Sequence, residues 1–180
     1  MPEIEIRPAV ETDIEKIVAL DHSYTSENVL QMDLLNEAGQ IGARFRDVRL
    51  PRFVRVEYPR SSNMLMKDWK ERSGILIAAL SKTPVGYVIL KEEVAPLTTW
   101  VTDLVVAPNL RRRGIGSALL LAAEDWAVAH GKTRRLVLEM QPKNYPAIRL
   151  AEKLGFDFCG YNDHYYANND IALFYEKWVV

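Results

Sequence analysis

The residues with the clearest chemical bearing lie in one run, Leu104-Val105-Val106-Ala107-Pro108-Asn109-Leu110-Arg111-Arg112-Arg113-Gly114-Ile115-Gly116-Ser117-Ala118-Leu119. A strand-like stretch feeds a short turn, and a basic, glycine-bearing segment then opens the strongest helical pattern of the chain. A helix start offers unpaired N–H groups and a positive dipole end, a seat for phosphate oxygens. Gly114 and Gly116 would let a ligand approach the backbone. The three arginines supply charge-assisted hydrogen bonds to a pyrophosphate. Two other phosphate loops are excluded: the lysine of G-x-x-x-x-G-K-[ST] is missing, and Leu119 stands where G-x-G-x-x-G needs its third glycine. The competing reading is an arginine-rich helix cap with solvated charges.

Asp103 and Glu139 interrupt otherwise apolar strand patterns, where an unpaired carboxylate is costly. Each is a candidate general base, or else it pairs with an arginine or faces solvent. Cys159, the single cysteine, lies between Phe158 and Gly160 with no adjacent base and reads as a small buried hydrophobe. His22, His130 and His164 are isolated in sequence; His130, at a helix end, suits the dipole there. No His/Cys/Asp cluster has metal-ligand spacing, so no metal is expected. Trp100 and Trp126 stand at core-type spacing.

These residues must be positioned by alternating elements. Glu3 to Arg7 alternates with period two, as a strand does. Thr12 or Asp13 can cap a short helix. Ser23 to Glu37 suggests a second helical piece, and Gln40 to Val56, rich in arginine, one or two strands broken at Pro51. Asn63 to Arg72 is helix-compatible. Ile75–Leu80 and Val85–Leu90 form a hairpin around Lys82-Thr83-Pro84. Thr99–Val106 is a strand, Arg112 to His130 the best helix with Gly131 as its stop signal, and Leu136–Met140 a strand. Tyr145 to Leu154 is a helix closed by Gly155. Phe156–Tyr166 and Ile171–Val179 close the order as strands. Meanders plus one parallel crossover make a mixed sheet with helices on its faces, an α/β (mixed α+β) class.

The 180 residues, 48% hydrophobic and 26% charged, have the composition of an ordinary globular protein and exclude a wholly disordered chain. Lys plus Arg (23) nearly cancels Asp plus Glu (24), so the basic excess of a general nucleic-acid binder is missing. No apolar run approaches the roughly 20 residues of a membrane helix, and Met1 to Arg7 is unlike a secretory leader. The expectation is a single domain over residues 1–180, cytoplasmic, with no nucleic-acid or membrane partner.

Arg111-x-x-Gly114-x-Gly116, after a strand ending Asp103-Leu104-Val105-Val106-Ala107-Pro108, resembles the acetyl-coenzyme A motif of the GNAT family of N-acetyltransferases. Asn144-x-x-Ala147 followed by Leu154-Gly155-Phe156 resembles that family's next helix and its close. The resemblance implies a twisted mixed sheet of about six to seven strands, flanked by helices, whose two central parallel strands splay to admit the acyl-thioester arm. By position, Leu104, Val105 and Val106 would line that arm. Arg111, Arg112, Arg113, Gly114, Ile115, Gly116 and Ser117 would hold the pyrophosphate, Asn144 would touch the arm, and Arg149 or Lys153 would reach the adenosine end. Acetyl-coenzyme A is the implied co-substrate, Glu139 and Asp103 the candidate bases, and the N–H groups of Val105 or Val106 the oxyanion donors. Many members place a tyrosine seven residues after the helix asparagine as proton donor. Here that residue is Ala151, so the acid stays open among Tyr161, Tyr165, Tyr166 and Tyr175, or water.

Leu20 to Thr25, Phe45 to Val48, Leu138-Glu139 and Phe158 to Tyr161 are similar to segments of streptothricin acetyltransferases, which implies a small cationic amine as acceptor. Asp21, Asp47, Asp103 and Glu139 could attract it, with the arginines of residues 44–55 on a solvated strand face. The alternatives are acetylation of a protein amino terminus or lysine, and a non-catalytic acyl-coenzyme A binding module. Phe174, Tyr175 and Trp178 on the closing strands could support a homodimer or seal the core.

Overall fold

The structure, a computed structural model, describes residues 3–130 and 133–179. In chain order it runs β1 (Ile4–Pro8), α1 (Glu11–Val18), β2 (Tyr24–Glu37), β3 (Gln40–Val56), α2 (Asn63–Asp68), β4 (Gly74–Leu80), β5 (Thr83–Ala95), β6 (Thr98–Val106), α3 (Ile115–Ala129), β7 (Arg135–Met140), α4 (Tyr145–Lys153), β8 (Asp157–Asn162) and β9 (Ala172–Trp178). Seven strands form one sheet in the order β1-β4-β5-β6-β7-β9-β8, and β2 with β3 makes a separate ribbon. Among the described residues, only β6 and β7 are parallel neighbours in the sheet.

Period-two alternation sends side chains to two cores. On one face Leu76, Ala78, Val88, Leu90, Leu136 and Leu138 pack under α3 and α4. On the other Ile75, Ile77, Tyr87, Ile89 and Val105 pack under α1 and α2. The β6–β7 pair buries Val101, Leu136, Leu138 and Met140 in the first core, and Val105 of β6 reaches the second. Trp126 and Trp100 are packing residues, Trp126 lying over Gly74 and Trp100 edge-on to Phe174. Tyr175 is buried and Phe174 partly so, so both close the sheet; Trp178 stays exposed.

The parallel pairing runs from Thr98↔Arg135 to Val101↔Leu138 and stops, although β6 continues to Val106 and β7 to Met140. The cause is in β6: its register with β5 jumps between Ile89↔Asp103 and Leu90↔Val101, leaving Thr102 as a bulge. A bulge bends its strand and increases local twist, and here it parts β6 from β7.

Several sequence expectations change. Residues 24–37 form β2 rather than a helix, because pairing with β3 along nearly the whole length supplies partners that local propensity does not anticipate. β3 is continuous through Pro51. Residues 50–53 bow out opposite Glu27, where the register slips from Ser26↔Val54 to Asn28↔Arg49, and a residue without an N–H fits such a gap. α1 starts at Glu11, earlier than a cap at Thr12 or Asp13 allows. Asp13 instead reaches back to accept the Val10 N–H (2.9 Å) and pairs with Arg7 (2.7 Å). α3 starts at Ile115, since Arg112 and Gly114 adopt left-handed φ values of 64° and 85°. Residues 163–166 leave β8 as a turn. Met1, Pro2 and the expected stop Gly131 lie outside the described residues.

Candidate active site

The Ala107 N–H donates to the Val85 carbonyl (2.8 Å). Antiparallel alternation then commits the N–H and C=O of Val105 and Asp103 to β5 and turns those of Leu104 and Val106 toward the gap. Of the two expected oxyanion donors, Val106 has its N–H on the open edge; Val105 is corrected to a ladder residue with a buried side chain. Leu104 shares Val106's orientation.

Beyond β6 the chain makes a tight turn into α3. The first helical N–H bond there is Ala118 to the Gly114 carbonyl (2.9 Å). Ile115, Gly116 and Ser117 are thus first-turn donors without an intrahelical acceptor. With Arg112 and Gly114 left-handed, successive N–H groups face one concavity, an anion-binding nest. The pyrophosphate of acetyl-coenzyme A fits such a nest, with Arg112 and Arg113 exposed beside it. Gly114 serves its φ, as a Cβ would meet nothing within 4 Å, whereas a Cβ on Gly116 would lie 3.2 Å from Leu150 of α4. Arg111 does a different job from its neighbours. Its Nε donates to the Val106 carbonyl (2.8 Å) and its Nη2 to the Asp21 carbonyl (3.3 Å), fixing the turn against β6. Asn144 caps α4, its Oδ1 accepting the Ala147 N–H (3.3 Å), and lines the gap. Arg149 pairs with Glu152 on the surface. Ala151 is fully buried in the core under α4, so no proton donor stands there.

Asp103 and Glu139 come together at the mouth of the gap, and both meet Arg60, which the sequence reading missed. Arg60 donates to Glu139 Oε1 and to the carbonyl of the bulged Thr102 (2.7 Å), and its Nη1 lies 3.8 Å from Asp103 Oδ1. Tyr58 and Thr102 donate to the Asp103 carboxylate (2.7 and 2.9 Å), and Tyr165 to Glu139 Oε2 (3.0 Å). The Arg60 guanidinium also lies over the Tyr166 ring, 5.2 Å from its centroid. The Glu139 side chain is 1% exposed; burial pushes its carboxyl pKa above the ordinary value, and Arg60 and Tyr165 oppose that. Burial alone would lower the Arg60 pKa, but Asp103 and Glu139 raise it overall, so it is a fixed cation. Tyr165 is pushed up to about 12 by burial and by Glu139. Five arginines at residues 44–55 conceal Arg60 in the sequence, since nothing local separates it from them.

Two cavities meet at this cluster. The gap is lined by Leu104, Leu138, Met140, Asn144 and Ala147. On the α1/α2 face lies a cleft of about 560 Å³ bordered by Tyr58, Tyr87, Tyr165, Arg72 and Asp103, within the ~300–1,000 Å³ of small-molecule sites. Arg60 and Tyr166 line both. Of the tyrosines left open as the acid, Tyr165 and Tyr166 reach the site. Tyr161 packs on Phe45 of the ribbon and Tyr175 against Phe158. His22, isolated in sequence, bonds the Tyr87 hydroxyl (2.8 Å), and burial lowers its pKa, favouring the neutral ring. Cys159 is exposed on the edge strand β8 rather than buried, and partial desolvation raises its thiol pKa, the opposite of an activated nucleophile.

Residues 43–156 match the acetyltransferase (GNAT) family. The chain belongs to the GNAT acetyltransferase family. Its activity is acetyl transfer from acetyl-coenzyme A, and its mixed sheet with one parallel pair is the fold the motif implied. The streptothricin acetyltransferase of Streptomyces lavendulae is 30% identical over 169 residues, 90% of this chain and 86% of that protein. Among solved structures, a nourseothricin acetyltransferase superposes with a TM-score of 0.81 at 25% identity, covering 98% of this chain and 99% of the other. A Bacillus anthracis protein solved in complex with acetyl coenzyme A has the same fold, with a TM-score of 0.74 at 22% identity and coverages of 98% and 99%. Among the described residues no helix is long and apolar enough to cross a membrane, and no group of three or more His, Cys, Asp or Glu side chains could hold a metal ion.

Proposed function

We propose that this GNAT enzyme acetylates a primary amine of a small, cationic, streptothricin-type molecule by direct transfer in a ternary complex. One observation carries the reading. Two carboxylates stand where the donor gap opens into a tyrosine-lined cleft, in a chain aligned over nine-tenths of its length with a streptothricin acetyltransferase. The arginines of residues 44–55 do not oppose a cation there. Arg46 pairs with Asp33, Arg55 with Asp21 and Arg49 with Glu27 on the exposed ribbon, and none borders the cleft.

Acetyl-coenzyme A supplies an acetyl group activated as a thioester. The N–H groups of Ile115, Gly116 and Ser117, with Arg112 and Arg113, bind its pyrophosphate, and the open edge of Leu104 and Val106 binds its arm. An acceptor arrives protonated and must lose that proton to attack. Glu139, whose raised pKa brings its proton affinity nearer to neutral pH, accepts it directly or through water. Asp103 contributes negative charge that draws in the cation. The Val106 N–H faces the position where charge develops on the acetyl oxygen. Tyr166, lining both cavities, holds a proton available to the departing thiolate.

The test is thiol release from acetyl-coenzyme A with streptothricin, polyamines and amino-terminal peptides as separate acceptors. Fast release with streptothricin supports the reading. Release with peptides alone moves it to protein acetylation, and binding of acetyl-coenzyme A without release on any amine leaves the binding-module alternative.

A further inference from the structure

Arg60 follows the ribbon in sequence, yet its guanidinium ends between two sheet strands. We propose that Arg60 is a positioning residue that keeps Glu139 ionised beside Asp103 and holds it at the mouth of the gap. This rests on the reading of Glu139 as the base. Three contacts carry it: the ion pair with Glu139, the 2.7 Å bond to the Thr102 carbonyl and the 3.8 Å approach to Asp103. The bulge that parts β6 from β7 also frees the Thr102 carbonyl from the ladder, so Arg60 is anchored by the feature that opens the donor gap. The aromatic face of Tyr166 closes its remaining side.

The electrostatics require such a cation. Facing Glu139 are Arg60 from the segment after β3, Tyr165 and Tyr166 from the β8–β9 turn, and Asp103 from β6. Facing Asp103 are Arg60, Tyr58, the Thr102 hydroxyl, Tyr87 of β5 and His22 from the segment between α1 and β2. Burial holds the tyrosine hydroxyls neutral and favours neutral His22. Arg60 is the one cation within 4 Å of either carboxylate among the described residues. Without it, two buried carboxylates face each other and one takes up a proton, because like charges in one site raise a pKa. A protonated Glu139 cannot accept the acceptor's proton.

The direct readout is the carboxyl carbon-13 resonance of Glu139, followed against pH in protein labelled at glutamate, with Glu139→Gln providing the assignment. In Arg60→Gln the Glu139 midpoint should move up by about one pH unit or more. Arg60→Lys should restore part of that shift, and Asp103→Asn should move the midpoint down. The acid limb of kcat/KM for streptothricin should move in the same directions, with the Arg60→Gln rate recovering at high pH. An unmoved midpoint in Arg60→Gln overturns the proposal, as does a lysine variant no different from glutamine. If Arg60→Gln does not fold, Asp103→Asn carries the test, and an unmoved midpoint there overturns it. A Glu139→Gln enzyme with unchanged rate and pH profile instead sinks the base assignment, while the resonance still reports the Arg60 coupling.

Discussion

Replacing Gly114 separates the shape of the nest from its charge. At φ 85° a glycine is unstrained, whereas an L-residue in that region costs about 1–2 kcal/mol. A Cβ there meets nothing within 4 Å, so Gly114→Ala adds strain without a clash. Two outcomes share that cost. If the turn keeps its shape, the folded state loses about 1–2 kcal/mol and the melting temperature falls by roughly 2–8 °C for a chain of this size. If the turn relaxes, the N–H groups of Ile115 to Ser117 lose their common aim, and binding of acetyl-coenzyme A weakens by about 5- to 30-fold, the same energy expressed in affinity. Asparagine tolerates the left-handed region better than alanine, so Gly114→Asn should recover most of either loss. Gly114→Glu adds a negative charge beside the phosphates and should bind more weakly than Gly114→Ala. Differential scanning calorimetry and titration calorimetry with coenzyme A measure both quantities. Unchanged melting and affinity in Gly114→Ala, or asparagine no better than alanine, refutes the argument.

Proline at Val106 removes an N–H outside the β5 ladder, whereas proline at Val105 removes one inside it. Val106→Pro should stay folded by circular dichroism and lose about 10²- to 10³-fold in kcat, while Val105→Pro should lose its melting transition. The reverse result would mean that the strand's open edge is misassigned. Tyr166→Phe removes the proposed proton donor and should lower kcat by about 10²-fold or more with little change in coenzyme A affinity; an unaltered kcat assigns that proton to Tyr165 or water. Tyr24→Phe leaves Gln141 Oε1 without the 2.6 Å donor it has in the folded chain. Urea unfolding should show a loss of about 1–3 kcal/mol, and a variant as stable as the parent would mean that water replaces the hydroxyl.

The residues easiest to read from sequence were those whose neighbours in space are also neighbours in the chain. Arg112 to Ser117 form the nest from one continuous stretch, and Asn144 caps the helix that begins at the next residue. The ribbon was missed because β2 pairs through its backbone with a strand after a turn, and its scattered Val29, Leu30, Leu34 and Leu35 show no clean period of two. Arg60 was missed for a related reason. Glu139 lies 79 residues away in sequence, and only the folded sheet makes them partners. Asp103 and Glu139 were legible as anomalies, charges in apolar strands, but not as a pair sharing one cation. For Ala151 the sequence identified a missing tyrosine; the folded turn after β8 brings Tyr165 and Tyr166 to the same cluster from another direction.

The parting of β6 and β7 makes the sheet a partition with a slot in it. The nest lies at the start of α3, while the proposed acceptor cleft opens beside α2 on the other side. On the proposed function, each substrate would reach the slot by its own route, and neither would have to leave before the other enters. Initial rates measured at several fixed concentrations of one substrate should give intersecting rather than parallel reciprocal lines. The same separation divides the lining residues between the two routes, apart from Tyr58, Pro59, Arg60 and Tyr166, which border both. On that reading, substitutions at Ser61, Ser62, Met64, Leu65 or Ala167, which border the cleft alone, should alter which amine is accepted while residues 104–117 go on holding the same donor.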